Sequence, residues 1–360
     1  MSGFETLPEQ QEAKRLLRAA AQERPAHAYL FHGPPGVGKR TAAFAFAAEL
    51  LGERARVERR AHPDLYVLEP VGDQIRIDDI RELRRDLHMR PFEASRRVYI
   101  LLAADTMNED AADALLKDLE EPPEYAVIVL VASDLGPLPE TIRSRCQLVP
   151  FRRLSERAVR EAVAAQSIGL SEAEVTALAR VAGGRLDRAR RLLDPAAAKR
   201  RTALLDVARS VYLDPRFDPA SAADRVLAGS RERAQEAKAQ AEVEVESLEL
   251  PAREAEQRLR RAARGAERDE LLAALEELAA WYRDLVVVAA GADAAVLHYD
   301  RLDVLREDAS VERMAGAEEA AEQVRRLWRE LEEFNLAPAL AFEALFVRLR
   351  RALGATAVAS

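Results

Sequence analysis

The chain has 360 residues, a formal net charge of −8 at pH 7, and 49% hydrophobic and 32% charged residues. This length exceeds one ordinary hydrophobic core, so two or three domains are expected. The acidic balance argues against a chain that coats nucleic acid by itself, although it allows one basic face within an assembly. The single cysteine, Cys146, excludes an intrachain disulfide and a cysteine-built metal site, as is typical of a cytoplasmic protein. No apolar run is long enough to span a bilayer.

Short β-rich runs alternate with helix-periodic segments through the first 150 residues. The predicted strands are 28–32, 64–69, 98–104, 126–133 and 147–151. The predicted helices between them include 41–51, 77–87 and 109–121. This alternation requires crossover connections, so it predicts a mostly parallel five-stranded sheet covered by helices on both faces.

Strand signals stop after Phe151. Helix-periodic segments at 156–166, 172–181 and 186–193 predict a small helical unit, in which Ser171 and Glu174 form a capping box. The rest of the chain has helical character throughout. We therefore predict an α/β domain at 1–153, a small helical domain at 154–200 and an all-α domain at 201–360. Acids and bases alternate along 231–270, which favours a solvated helical hairpin over a nucleic-acid-binding arm.

The stretch GPPGVGKRT, residues 33–41, has the form of a phosphate-binding loop between a strand and a helix. Gly33, Gly38 and Lys39 occupy fixed positions of the pattern G-x-x-x-x-G-K-[ST], and Gly36 lies between them. The glycines would let backbone N–H groups close around phosphate, and Lys39 would reach the terminal phosphates. The pattern in this context predicts a P-loop fold.

The same region departs from a working ATPase at three positions. Arg40 stands where a magnesium-binding hydroxyl belongs, and Thr41 lies about 100° further around the helix. The strand that should end in Asp-Glu carries Leu102 and Ala103, so groups that hold Mg²⁺ and polarise water are missing. The loop is then a structural remnant that binds nothing, a weak ATP or ADP site, or a hydrolytic site. We expect no required cofactor and no metal site.

Three further motifs lie between residues 114 and 146. They are ALLK at 114–117, LEEPP at 119–123 and SRC at 144–146. Together they strongly resemble the clamp-loader branch of the AAA+ proteins. The resemblance covers roughly residues 5 to 195 and extends to the C-terminal helices only by their general character.

The resemblance implies an AAA+ P-loop domain, a helical lid and a helical collar in a cytoplasmic DNA replication complex. Its partners would be the gamma/tau ATPase subunits and the delta subunit, with the β sliding clamp and primed DNA reached through the complex and no membrane involved. The motor subunits of this branch carry a four-cysteine zinc module, whereas 51–63 has no cysteine, so no zinc is expected. The degenerate loop with a retained SRC is similar to the branch members that do not hydrolyse ATP. Polymerase activity would belong to the holoenzyme.

By the same resemblance, Arg145 would be a finger that reaches the γ-phosphate bound by an adjacent subunit. Its alternative role is to pair with a nearby acid and pack the strand end. Arg76 and Lys117 align with positions that face the DNA channel in related loaders, where each would contact one phosphate. Solvated surface charge is the alternative for both.

Two nucleotide-sensing positions of the family also fall on unusual residues. The second sensor, normally an arginine, falls on Leu186, with Arg185 and Arg188 close by, and the first falls on Ser133. Two other functions stay open: an active gamma/tau-like ATPase, which the missing acidic pair opposes, and a nucleotide-gated AAA+ switch, which Lys39 permits.

Overall fold

The computed structural model describes residues 3–70, 74–166, 169–246, 252–333 and 336–354. Contacts divide the chain into two compact units, Met1–Arg190 and Arg191–Ser360. The division into three domains stays a prediction. Its first boundary, near residue 153, lies inside the first unit, and its second, near residue 200, lies within a continuous helix of the second unit.

The first unit contains a five-stranded parallel sheet with strand order β2-β3-β4-β1-β5, so the predicted fold class is confirmed. The strands are β1 (Ala28–His32), β2 (Leu65–Leu68), β3 (Arg97–Leu101), β4 (Ala126–Ala132) and β5 (Gln147–Pro150). All paired strands run parallel, and β5 lies at the edge beside β1. Strand β3 ends three residues before its predicted end. Ala103 has a φ of 53°, a left-handed conformation that an extended strand does not accommodate.

Helices cover both faces of this sheet. They are α1 (Gln11–Gln22), α2 (Lys39–Leu51), α3 (Arg54–Glu58), α4 (Ile77–Leu87), α5 (Glu109–Glu120) and α6 (Glu140–Arg143). Along β1, Tyr29 and Phe31 face a core shared with α1 and α2, while Leu30 faces a second core shared with α4 and α5. Alternate side chains of a strand point to opposite faces, so a sheet buried on both sides needs an almost continuous apolar run.

Three helices follow the sheet: α7 (Glu156–Gln166), α8 (Glu172–Ala182) and α9 (Leu186–Leu193). The predicted capping box is confirmed. The backbone N–H of Glu174 donates to the Ser171 hydroxyl at 3.3 Å, and the N–H of Ser171 donates to the Glu174 carboxylate at 2.8 Å. Helix α8 ends at Gly183 and Gly184, both with positive φ, and this turn directs the chain into α9.

The described part of the second unit is helical, as predicted. Its helices are α10 (Pro195–Leu213), α11 (Pro219–Glu246), α12 (Ala252–Ala289), α13 (Leu302–Asp308), α14 (Val311–Glu333) and α15 (Pro338–Gly354). The aromatic residues Trp281, Tyr282, Phe342 and Phe346 are fully buried in one core. In the charged segment 231–270, α11 packs against α12, and 247–251 lies outside the described residues. No helix within the described ranges is long and apolar enough to cross a membrane.

A buried histidine lies between two carboxylates in this second unit. Nδ1 of His298 is 2.8 Å from Asp284 Oδ2, and Nε2 is 2.9 Å from Glu277 Oε2. Burial lowers the pKa of His298, but hydrogen bonds to Asp284 and Glu277 outweigh burial and raise it overall. Arg201 from α10 binds Glu277 at 3.0 Å, so the cluster links two helices.

Candidate functional site

The phosphate-binding loop has the expected strand–loop–helix setting, between β1 and α2. Gly33, Gly36 and Gly38 have φ values of 135°, 72° and 99°. A β-carbon on Gly33 would lie 2.1 Å from the backbone oxygen of Phe151, just beyond β5. Glycine is therefore required at position 33 by packing within this chain, whatever the loop binds.

Lys39 is buried, with 6% of its surface exposed, and its ammonium bonds to its own loop. Nζ donates to the backbone oxygen of Gly33 and to that of Pro34 at 2.7 Å. A longer contact of 3.5 Å joins Nζ to the hydroxyl of Ser133, at the end of β4. The lysine thus spans from the loop to the first sensor position, but its donors are engaged by protein oxygens.

Burial is the main reason why the pKa of Lys39 falls to about 8. The carboxylates of Asp105 and Asp187 oppose this shift, and the Arg185 guanidinium adds to it. Residues from the end of β3 and from the start of α9 therefore share one electrostatic environment with the loop lysine.

The segment before and within the first turn of α9 packs directly on the loop. The backbone N–H of Leu186 donates to the Gly36 carbonyl at 2.8 Å. A β-carbon on Gly36 would lie 1.7 Å from Oδ1 of Asp187. The Asp187 carboxylate also binds the Arg185 guanidinium at 2.7 and 3.1 Å. We call Arg185, Leu186 and Asp187 the lid contact. It places a carboxylate and an ion pair against the loop that would hold phosphate.

The position of the magnesium-binding hydroxyl is occupied by a cation that points elsewhere. The Arg40 guanidinium binds Glu69 at 2.6 Å and lies 5.8 Å from the ring centroid of Phe44. Thr41, the next residue of α2, is exposed. Neither side chain supplies the metal-binding oxygen that the site of an ATPase requires.

The two acidic positions also lack carboxylates. Leu102 is buried in the core beside α2, and Ala103 begins the turn that leaves β3. Sequence reasoning missed Asp105, whose Oδ2 accepts the backbone N–H groups of Ser133 at 2.8 Å and Asp134 at 3.0 Å. The sequence signal that could have identified Asp105 is an acidic residue a few positions after a buried strand. Asp105 thus joins the turn after β3 to the residues after β4. With Leu102 and Ala103 at the acidic positions and Asp105 engaged by backbone N–H groups, the residues present do not fit the magnesium-bound nucleotide of a working site.

Arg145 lies in the turn between α6 and β5, with 34% of its side chain exposed. Its guanidinium donates to the Thr141 carbonyl at 2.9 Å and to the Glu120 carboxylate at 2.5 Å. The acid pairing considered as an alternative role is thus present, yet part of the guanidinium remains open to solvent. Cys146, beside it, is buried, and burial raises the pKa of its thiol to about 12. Cys146 is therefore a packing residue.

Arg145 and the phosphate loop lie at opposite ends of the parallel strands. Gln147 at the start of β5 pairs with Tyr29 of β1, whereas the loop begins at Gly33, after β1 has ended. At a rise of about 3.3 Å per strand residue, Arg145 lies roughly 15 Å from the loop along the strand direction. An arginine side chain does not bridge that distance, so Arg145 does not serve its own loop.

Helices α4 and α5 run parallel on the face that carries the two predicted DNA contacts. Ile75, before α4, forms a β-bridge with Met107, before α5. Near the other end, Arg84 binds Asp118 at 3.0 Å. These two contacts fix the relative register of the helices.

Arg76 and Lys117 are exposed at opposite ends of this helix pair. Arg76 precedes α4, and Lys117 lies in the last turn of α5. With a rise of about 1.5 Å per residue, they are separated by at least roughly 12 Å along the pair. They therefore do not form one local patch, and their DNA contacts stay a prediction.

Part of the first unit matches a known protein family. Residues 9–155 match the family model described as DNA polymerase III, delta subunit. The match lies within the first unit and covers less than half of the chain. A 167-residue segment is 34% identical to DNA polymerase III subunit delta' of Bacillus subtilis strain 168, covering 43% of this chain and 51% of that relative.

Two further relatives are a delta' subunit and a tau subunit. Subunit delta' of Pseudomonas aeruginosa PAO1 is 40% identical over 154 residues, covering 39% of this chain and 46% of the relative. Subunit tau of Bacillus subtilis is 32% identical over 200 residues, covering 51% of this chain and 35% of the relative. The chain thus spans about half, or less, of the length of these relatives. The matched region is therefore similar to both delta' and tau subunits.

Proposed function

We propose that this chain acts as the delta prime subunit of a bacterial clamp loader, a stator that does not hydrolyse ATP. In this role its first unit presents Arg145 to the ATP site of a neighbouring gamma/tau-type subunit. Its partners are the ATPase subunits and the delta subunit, and the complex loads the β sliding clamp on primed DNA in the cytoplasm. The chain requires no bound cofactor for this role, and it forms a hetero-oligomer.

The observation that carries the proposal is the separation of Arg145 from the chain's own loop. A working site needs a metal-binding hydroxyl and an acidic pair, and here these positions hold Arg40, Leu102 and Ala103. The exposed guanidinium, at the opposite end of the sheet, supports a reaction partner outside this chain. A planar guanidinium supplied in trans stabilises the charge on a transferring phosphoryl group.

The lid contact supports the non-hydrolysing part of the proposal. The Asp187 carboxylate lies against Gly36 of the loop, and a nucleotide would have to replace the protein oxygens that hold Lys39. Each charge-assisted hydrogen bond contributes about 1.5–3 kcal/mol. The free energy needed to break these bonds therefore opposes nucleotide binding.

The test is clamp- and DNA-stimulated ATPase activity of the reconstituted complex carrying Arg145→Ala. Turnover at the one site that Arg145 completes should fall on the order of 10³-fold or more, because the transition state loses its trans cation. The matched control is Arg157→Ala, an exposed arginine of α7. Gel filtration checks assembly. Intact assembly with unchanged turnover in Arg145→Ala would contradict the trans-catalytic role.

The purified chain alone distinguishes the remaining functions. We expect no ATPase activity above background, since the metal-binding and water-polarising groups are both replaced. Turnover of about 1 s⁻¹ or more, abolished by Lys39→Ala, would identify a working ATPase instead. Tight ATP binding without hydrolysis, coupled to a change of partners, would identify a nucleotide-gated switch.

A further inference from the structure

Arg145 is held by a carboxylate that belongs to another element. Its NH2 group lies 2.5 Å from Oε1 of Glu120, the last residue of α5. Its NH1 group donates to the Thr141 carbonyl of α6 at 2.9 Å. Two acceptors from two helices therefore fix the plane of the guanidinium. The other N–H groups of this guanidinium have no partner among the described residues.

The location of Glu120 is unfavourable for the helix that carries it. A carboxylate at the C-terminal end of a helix faces the negative end of the helix dipole, which costs about 0.3–1 kcal/mol. Lys117, in the same last turn, has the favourable sign. Glu120 therefore contributes little to α5 itself, and its ion pair with Arg145 offsets the unfavourable position.

The ion pair with Glu120 restricts Arg145 before a nucleotide binds, and this restriction favours catalysis. A free arginine side chain loses about 2 kcal/mol of rotamer entropy when it is fixed. An arginine already held by Glu120 and Thr141 has lost part of that freedom before a phosphate arrives. Because both acceptors lie on the protein side, the open edge of the guanidinium faces solvent.

We propose that Glu120 is a positioning residue that orients Arg145 toward the phosphate bound by the neighbouring subunit. This inference rests on the proposed trans role of Arg145. Glu120 acts through Arg145 and does not itself touch the nucleotide. Its removal should lower the rate of the chemical step while ATP binding by the neighbour stays unchanged.

The experiment measures ATP turnover of the reconstituted complex with Glu120→Ala, Glu120→Gln and the control Glu121→Ala. Misplacement of a catalytic group can cost up to about 10²-fold, and we expect about a tenfold lower kcat for Glu120→Ala with KM unchanged. Glu120→Gln keeps an oxygen acceptor and should recover most of the activity. Glu121, the next exposed carboxylate, should tolerate alanine.

A double variant separates positioning from a general structural effect. In the Arg145→Ala background, Glu120→Ala should cause no further loss, since there is no longer an arginine to orient. A similar loss in both backgrounds would overturn the inference, as would wild-type or higher turnover of Glu120→Ala alone. If Arg145→Ala itself has no effect, the proposed function fails as well.

A measurement on the isolated chain tests whether Glu120 restricts the motion of Arg145, without any partner subunit. Nitrogen-15 relaxation of the Arg145 side chain should show restricted motion in the wild-type protein and faster motion in Glu120→Ala. Glu121→Ala should leave the relaxation unchanged. Equal mobility in the wild type and Glu120→Ala would contradict the positioning role even if Arg145 acts in trans.

Discussion

The backbone N–H of Leu186 donates to the carbonyl of Gly36 at 2.8 Å. From the resemblance to AAA+ clamp loaders, we expect Leu186 at the position of a nucleotide-sensing arginine. This hydrogen bond joins the start of α9 directly to the phosphate-binding loop. Under the proposed stator role, we expect the lid contact to oppose nucleotide binding at this loop.

Asp187→Ala should increase the affinity of the isolated chain for ADP. The change removes a negative charge beside the loop and one partner of the Arg185 guanidinium. A charge-assisted hydrogen bond contributes at least about 1.5 kcal/mol, so removing this competing contact should tighten ADP binding about tenfold. Titration with a fluorescent ADP analogue measures the dissociation constant. Asp113→Ala, an exposed acid of α5, is the control, and equal affinities of Asp187→Ala and wild type would show that the carboxylate does not obstruct the loop.

Restoring the acidic pair should not restore hydrolysis. In Leu102→Asp/Ala103→Glu, Arg40 would still stand where we expect a metal-binding hydroxyl, and Leu186 where we expect a sensor arginine. Because Leu102 is buried, circular dichroism must first show that the double variant is folded. Phosphate release is then measured with and without Lys39→Ala. Hydrolysis that depends on Lys39 would refute the claim that the site has lost several independent groups.

Gly33→Ala should destabilise the first unit strongly, and Gly52→Ala provides a matched control. Both glycines have positive φ, but only at Gly33 would a β-carbon lie 2.1 Å from a backbone oxygen, that of Phe151. No atom lies within 4 Å of a β-carbon placed on Gly52. The clash should cost at least about 2 kcal/mol more than the strain alone. Calorimetric unfolding measures both variants, and equal losses would mean that the loop relaxes around the added methyl group.

Locally determined elements were the ones that the sequence predicted best. The predicted ranges 28–32, 77–87 and 156–166 coincide with β1, α4 and α7. Each is a periodic or apolar run whose pattern reflects burial on a known face. The end of β3 was predicted too late, because nothing in an apolar run reveals that Ala103 takes a left-handed conformation.

The candidate site was predictable in its residues but not in its contacts. Lys39 and Arg145 follow from short motifs, so their identity could be read directly from the sequence. The contact of Asp187 with Gly36 joins residues far apart in the chain, and it depends on how the segment after α8 packs. The pair of Glu120 with Arg145 depends in the same way on where α5 ends relative to β5. Such contacts are set by tertiary packing, which periodicity does not specify.

The stability of the second unit should fall as pH rises above about 6.5 because of His298. Its folded-state pKa is raised by Asp284 and Glu277, so the folded chain binds the proton more tightly than the unfolded chain does. The contribution is fully present below the unfolded pKa and is lost as pH rises through the folded pKa. Both tryptophans of the chain, Trp281 and Trp328, belong to this unit, and the Trp281 ring lies 5.5 Å from that of His298.

Urea unfolding, followed by tryptophan fluorescence, measures this contribution. The range from about pH 6 to about pH 9 begins near the usual histidine pKa and extends above it. His298→Gln should lower stability most at the acidic end and should flatten the pH dependence, because its neutral amide cannot become a cation between the two carboxylates. Removing one partner of a buried charge cluster typically costs about 3–5 kcal/mol. His88→Gln, an exposed histidine after α4, should retain the wild-type profile. A His298→Gln profile parallel to that of the wild type would show that His298 remains neutral and that the cluster does not titrate in this range.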